Sequence, residues 1–360
     1  MKAAAAVGRD PDTIARQLVE GLAGAPGDLG ILYATDVLAP HFPAIIARLI
    51  RQTGVRHWAG TVGMGIIAGS EEVFERPAAA ALVLDIAAAD ACPFGPAATA
   101  PLAAARGWIA SRRPSLGLVH ADPSTPRLAG MLEEMGEASG AFLVGGLASG
   151  RGSLPQAGAG IGEGGVSGVL FAPEVAVSTG LTQGCVGVGP YHTVTAADRN
   201  MVLELDGEPA LKVLSADLER DGQAAGGSLH VAFPVEGSDT GDFTVRNLIG
   251  GDRDTGAVAI GDLVAAGDRL MLVRRDAEAA GQDLGRLAGR LARHLGNRPP
   301  RAGIYVSCLA RGPNLFGAGD HEVAAIRATL GEFPLVGFFA NGEISRGRLY
   351  GYTGVLTLFP

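Results

Sequence analysis

Lysine is almost missing from this chain: Lys2 and Lys212 are its only two, acidic residues outnumber basic ones 37 to 29, and the formal net charge is −8. No basic patch of the kind that neutralises phosphates is evident, which sets nucleic acid aside as a partner. Cysteine is scarce too. Cys92, Cys185 and Cys308 are odd in number and far apart, which supplies neither a disulfide framework nor a zinc pattern. Long apolar runs are also lacking. Residues 78–89 are interrupted by Asp85, short of the roughly eighteen unbroken residues of a membrane span. The opening Met1 to Gly8 meets Arg9 and Asp10 too soon to form a signal peptide. The expectation is a cytoplasmic protein with no membrane partner.

What is present is material for a large core. Apolar residues make up 47% of the 360 and charged ones only 18%, so a chain of this length can bury roughly three quarters of its unfolded surface. Strand and helix signals recur in one order. Residues 30–34 read as a buried strand, 43–52 as a helix with Ile45, Ile46 and Leu49 inward, 56–60 as a second strand entering a glycine turn, and 80–86 as a third. The order returns at 116–121, 127–139, 141–145 and 168–171, and again at 303–308, 320–330, 334–344, where the strand runs into its glycine turn, and 350–359. Glycines five apart mark each turn: Gly60 and Gly65, Gly145 and Gly150, Gly337 and Gly342. Such spacing predicts diverged internal repeats, the glycines letting the backbone approach a neighbour closely.

A helix capped by Asp10, with Pro11 at its first position, precedes the first unit. A β-rich region lies between the second and third. Residues 149–165, rich in Gly, Ser, Pro and Ala, read as a long surface loop. The fold class expected is α/β: mixed parallel and antiparallel sheets with helical layers, built from repeated strand-helix-strand-strand units. Two sheets under two helical layers is one arrangement that would satisfy it.

Three stretches carry a resemblance: Ser307-Cys308-Leu-Ala-Arg311-Gly312, then Leu335-Val-Gly337-Phe-Phe-Ala-Asn341-Gly342-Glu343-Ile344, then Leu349-Tyr-Gly-Tyr-Thr353. Together they resemble the C-terminal signature of the FIST family, the F-box and intracellular signal transduction proteins. The resemblance runs more loosely over almost all of the chain after about residue 28. It implies an N-terminal helix or extension at 1–27, a FIST N-terminal region at 28–198 and a FIST C-terminal region at 199–360. It also implies a sensory module binding a small ligand such as an amino acid, and no known reaction. Where family members tend to have Gly-Glu-Ile-Gly-Pro, this chain has Gly342-Glu-Ile-Ser-Arg346. Nothing in it resembles an F-box, and no kinase, cyclase or methyl-accepting segment is seen, so a separate signalling protein is the expected partner for any output.

Several motifs are excluded by context. Gly160-Ile-Gly162-Glu-Gly-Gly165 satisfies a dinucleotide fingerprint but follows a loop and precedes a strand, whereas pyrophosphate binding needs a helix N-terminus. The five-residue glycine spacing begins a P-loop, yet Arg151 and Glu343 stand where two of the copies need Lys. His321-Glu322 lacks a second histidine four residues after the first. No cofactor is expected.

The residues singled out for ligand binding are Cys308, Arg311, Asn341 and Glu343. A strand-helix-strand crossover places two parallel strands side by side, so the loops bearing these residues should open on one edge, where α/β sheets bind ligands. A guanidinium grips a carboxylate bidentately and a carboxylate grips an ammonium, so Arg311 and Glu343 together suit a zwitterion. The plainer alternative is a salt bridge tying the two loops. Asn341 could orient a ligand or simply make the turn before Gly342. Cys308 reads as a small core or pocket-wall residue. An enzyme using Cys308 as nucleophile with Arg311 as anion holder is the alternative function, and an interaction module is another.

Overall fold

The computed structural model describes residues 1–222, 228–237 and 241–360. The chain opens with β1 (Lys2–Val7), α1 (Pro11–Leu22), β2 (Leu29–Thr35), α2 (Phe42–Thr53), β3 (His57–Gly63), β4 (Gly65–Ala68), β5 (Glu71–Phe74) and β6 (Ala78–Leu84). There follow β7 (Ala91–Ala97), α3 (Arg106–Arg112), β8 (Leu116–Ala121), α4 (Leu128–Ser139), β9 (Phe142–Leu147), β10 (Pro155–Ala157), β11 (Ile161–Glu163) and β12 (Val166–Phe171). After β13 (Ser178–Gln183) come β14 (Cys185–Gly187), β15 (His192–Asp198), β16 (Met201–Leu205), β17 (Glu208–Pro209), α5 (Ala210–Asp221), β18 (Leu229–Pro234), β19 (Phe243–Gly251), β20 (Val258–Ile260) and β21 (Arg269–Arg275). The last stretch is α6 (Ala277–His294), β22 (Ala302–Cys308), α7 (Pro313–Phe316), α8 (His321–Leu330), β23 (Leu335–Ala340), β24 (Glu343–Ser345), β25 (Arg348–Tyr350) and β26 (Thr353–Phe359). These elements form two compact units, one of residues 1–183, 281–349 and 353–360, the other of 184–280 and 350–352.

The larger unit is an α/β structure of three six-stranded sheets with one internal order: β1-β6-β2-β3-β10-β11, β7-β12-β8-β9-β24-β25 and β13-β26-β22-β23-β4-β5. At the centre of each lies a parallel pair, β2 with β3, β8 with β9, or β22 with β23, joined across a helix. The strands flanking each pair run antiparallel to it. The hairpin after each second parallel strand leaves its own sheet: β4–β5 joins β23, β24–β25 joins β9, and β10–β11 joins β3. Each sheet is therefore completed by strands from another stretch of chain.

The central strands are buried on both faces, and alternate residues serve different cores. Ile31, Tyr33, Leu118, Val169, Ile304, Val306 and Phe338 belong to one cluster fed by all three sheets. The opposite faces pack under helix pairs: α1 and α2 through Leu18, Phe42 and Leu49, α3 and α4 through Ile109, Leu132 and Met135, α6 and α8 through Leu287, Leu291 and Ile326. Each large apolar side chain so buried contributes about 1.5–3 kcal/mol. Local signals set the helix ends. Asp10 accepts from the Thr13 N–H at 2.9 Å to start α1, and Gly54 ends α2 in the left-handed region at φ 78°.

The first glycine of each spaced pair does one physical job. A Cβ at Gly60, Gly145 or Gly337 would lie 1.8, 1.9 or 1.8 Å from the carbonyl oxygen of Leu32, Val119 or Tyr305 on the neighbouring parallel strand. Two expectations are corrected. Residues 149–165 are not one long surface loop, because they contain β10 and β11, with Gln156 and Ala157 buried. A three-residue strand made for a distant partner has no local apolar signature. The sheets number three in this unit rather than two.

In the smaller unit, pairings run β21–β15–β16–β20–β19–β18 and back to β21, closing a ring of antiparallel strands. Ala210 and Leu214 of α5 pack with Val194, Val231, Ile260 and Leu272 inside it. His192 ties the helix to the wall, its Nδ1 at 2.6 Å from Asp206 and its Nε2 at 2.8 Å from Asp217. Among the described residues no helix is long and apolar enough to cross a membrane.

Candidate functional site

In the parallel pair β22/β23, Cys308 stands opposite Ala340, so both strands end on one edge of the sheet. Beyond Cys308 the chain turns, the Arg311 N–H donating to the Cys308 carbonyl at 2.8 Å. Beyond Ala340, Glu343 opens the hairpin strand β24 that leaves for β9. Thr353, at the start of β26, completes the corner. Its N–H and hydroxyl donate to Glu343 Oε2 at 3.1 and 2.6 Å.

Arg311, Glu322 and Glu343 are all fully buried. The ion pair that Arg311 makes is with Glu322 of α8, Nε to Oε1 at 2.8 Å, rather than with Glu343. Glu322 is saturated, because Tyr305 Oη donates to Oε1 at 2.7 Å and Ser307 Oγ and the Gly312 N–H donate to Oε2 at 2.8 and 3.2 Å. The guanidinium also lies 5.6 Å from the centre of the Phe316 ring. Among the described residues its Nη1 and Nη2 have no hydrogen-bond partner, and neither has Glu343 Oε1. The unmet donors are cationic N–H groups, whose charge suits an anion and not a metal ion.

Electrostatics follow from burial. Burial pushes the Glu343 carboxyl up to about 8, opposed by the two Thr353 bonds, by the charge of Arg311 and by the Cys308 thiol. Arg311 feels the same burial, which works against its charge, but the Glu322 carboxylate outweighs it and the guanidinium stays protonated. A second raised carboxyl stands behind α8. Glu72 of β5 accepts from the N–H groups of Glu322 and Val323 at 2.8 and 3.1 Å, and burial first, the nearby Glu322 second, raise it to about 7. Glu72 thus caps α8 in place of Asp320, whose side chain instead accepts from the Glu72 N–H at 2.6 Å.

Cys308, Arg311 and Glu343 are brought together, with Cys308 only 7% exposed. Asn341 is set apart. It is exposed, and its backbone N–H donates to the Leu147 carbonyl at 3.0 Å. Sequence reasoning missed Glu322. Its signal was the spacing to Ile326 and Leu330, four and eight residues on, which put a carboxylate on the apolar face of a helix. One counterpart of this corner is closed by its own residues. Arg151, six residues after Gly145 as Glu343 is six after Gly337, holds Asp36 through its backbone N–H, Nε and Nη2 at 3.0, 2.9 and 3.0 Å.

Residues 28–208 match the FIST N domain and residues 210–346 the FIST C domain. An uncharacterized protein of Mycobacterium tuberculosis strain H37Rv is 31% identical over a 362-residue alignment covering 94% of this chain and 93% of its own. Another, from Mycobacterium bovis, is 29% identical over 363 positions covering 96% and 94%. The border between the two domain matches falls inside the smaller structural unit, at Pro209, the last residue of β17. FIST domains are associated with signal transduction.

Proposed function

Since the chain belongs to the FIST family, we propose that it is a sensory module holding a small carboxylate-bearing ligand, an amino acid, between Arg311 and Glu343. The observation that carries the reading is the set of buried groups unmet among the described residues, Nη1 and Nη2 of Arg311 and Oε1 of Glu343, on two side chains close enough for the charge of Arg311 to act on the Glu343 carboxyl. A ligand carboxylate accepts from both Nη groups, and a ligand ammonium donates to Oε1. Cys308 forms wall beside them. A signalling protein that binds the ligand-loaded form carries the output.

Two variants separate ligand binding from fold maintenance. Arg311→Lys keeps a cation for Glu322 but cannot present two Nη groups, and Glu343→Gln keeps an acceptor for Thr353 but no charge for an ammonium. Thermal shift with the twenty amino acids and their des-amino carboxylates is the assay, because a specific ligand stabilises by RT ln(1 + [L]/Kd). At least one amino acid should raise the melting temperature of the wild-type protein. Each variant should weaken it by about 1.5–3 kcal/mol, the scale of a charge-assisted hydrogen bond. Cys308→Ser should bind as the wild type does. Equal shifts in wild type and both variants, or none anywhere, would refute the assignment.

A further inference from the structure

We propose that the cavity between α3 and α4 is a second binding site, one that takes an aliphatic carboxylate. In the first stretch of chain α1 and α2 pack directly against one another. Helices α3 and α4 occupy the same places in the order of elements, but α3 has 7 residues where α1 has 12. The layer is left open there. The resulting cavity measures about 550 Å³, within the roughly 300–1,000 Å³ of small-molecule sites.

Its walls include Leu102, Ile109, Met131 and Met135, and its rim carries Arg106 and Arg127. Leu102 and Met135 are buried, so the apolar floor belongs to the core cluster under the helices. Methionines adapt their shape to a flexible chain. Arg127 is partnered by Glu134 at 3.1 Å, while Arg106 has no ion pair among the described residues. Two cations and one carboxylate leave one positive charge at the mouth, which a monoanionic head group matches. The alkyl chain lies along the Leu, Ile and Met floor and the carboxylate meets Arg106. Nothing here depends on the Arg311 and Glu343 cluster, which lies elsewhere in the chain.

Isothermal titration of the full chain with hexanoate, octanoate, decanoate, dodecanoate and 1-decanol tests the site. Affinity should rise with chain length, up to about fourfold per methylene, until the cavity is filled. Decanoate should bind more tightly than decanol, and Arg106→Glu should weaken decanoate about tenfold while leaving decanol nearly unchanged. Met135→Trp fills the cavity from its floor and Ala138→Trp from its rim, so the second stands in if the first fails to fold. Either should abolish binding. No dependence on chain length, decanol binding as tightly as decanoate, or decanoate binding that survives the tryptophan would overturn the proposal.

Discussion

The Arg311 side chain bonds through one N–H, that of Nε, and its four Nη hydrogens are unmet among the described residues. An unmet buried group costs about 1–3 kcal/mol, so a ligand that satisfies several of them gains what folding alone gives up. Arg311→Ala is for the same reason a poor probe of binding, because it strands the Glu322 carboxylate and should cost about 3–5 kcal/mol of stability without any ligand. Burial raises the Glu72 carboxyl to about 7 and that of Glu343 to about 8. A carboxyl raised above its unfolded value, near 4.3, holds its proton more tightly when folded. Its contribution to stability is full below that value and is lost as pH rises through 7 for Glu72 and 8 for Glu343. The ligand-free protein should lose melting temperature from these two groups between about pH 5 and pH 8.5. Glu72→Gln, whose amide oxygen still accepts from the N-terminus of α8, should lose less over that interval. An unchanged slope in that variant would contradict the assignment. Binding has its own sign. An ammonium needs ionised Glu343, so affinity for an amino acid should rise between pH 6 and 8.5, while affinity for its des-amino carboxylate should not.

At the scale of elements, the parallel pair β22/β23 and the shared edge of Cys308 and Glu343 are legible in the sequence. Two apolar runs separated by a capped helix leave few other arrangements. Glu322 is harder to read, since a glutamate in the first turn of a helix looks like a complement to the helix dipole. The exchange of hairpins is not legible, because the partner of a strand three or four residues long is chosen by long-range packing. The glycines leave a clearer trace. Gly60→Ala, Gly145→Ala or Gly337→Ala forces a Cβ to within 1.9 Å of a backbone oxygen, and each should cost more than about 3 kcal/mol in urea unfolding. Gly285→Ala, in α6 with nothing within 4 Å of its Cβ, should be neutral or stabilise by up to about 1 kcal/mol. Equal effects at the two kinds of site would contradict the packing described.

At the scale of the molecule, two segments of the larger unit that flank residues 184–280 in the chain are tied to each other. Thr182 Oγ1 and the Gln183 N–H both donate to Asp283 Oδ2, at 2.8 and 2.9 Å. Replacing residues 184–280 with a short glycine-serine linker should therefore leave a larger unit that melts cooperatively, as circular dichroism would show. The larger unit holds every group of the Arg311 and Glu343 corner. The central claim is that this corner is a ligand site, and the most direct measurement is a crystal structure of the full chain with whichever amino acid most raises its melting temperature. The account predicts a carboxylate within hydrogen-bonding distance of Nη1 and Nη2 of Arg311, with the ammonium on Glu343 Oε1. Density for the amino acid elsewhere, with only water on Arg311 and Glu343, would contradict it.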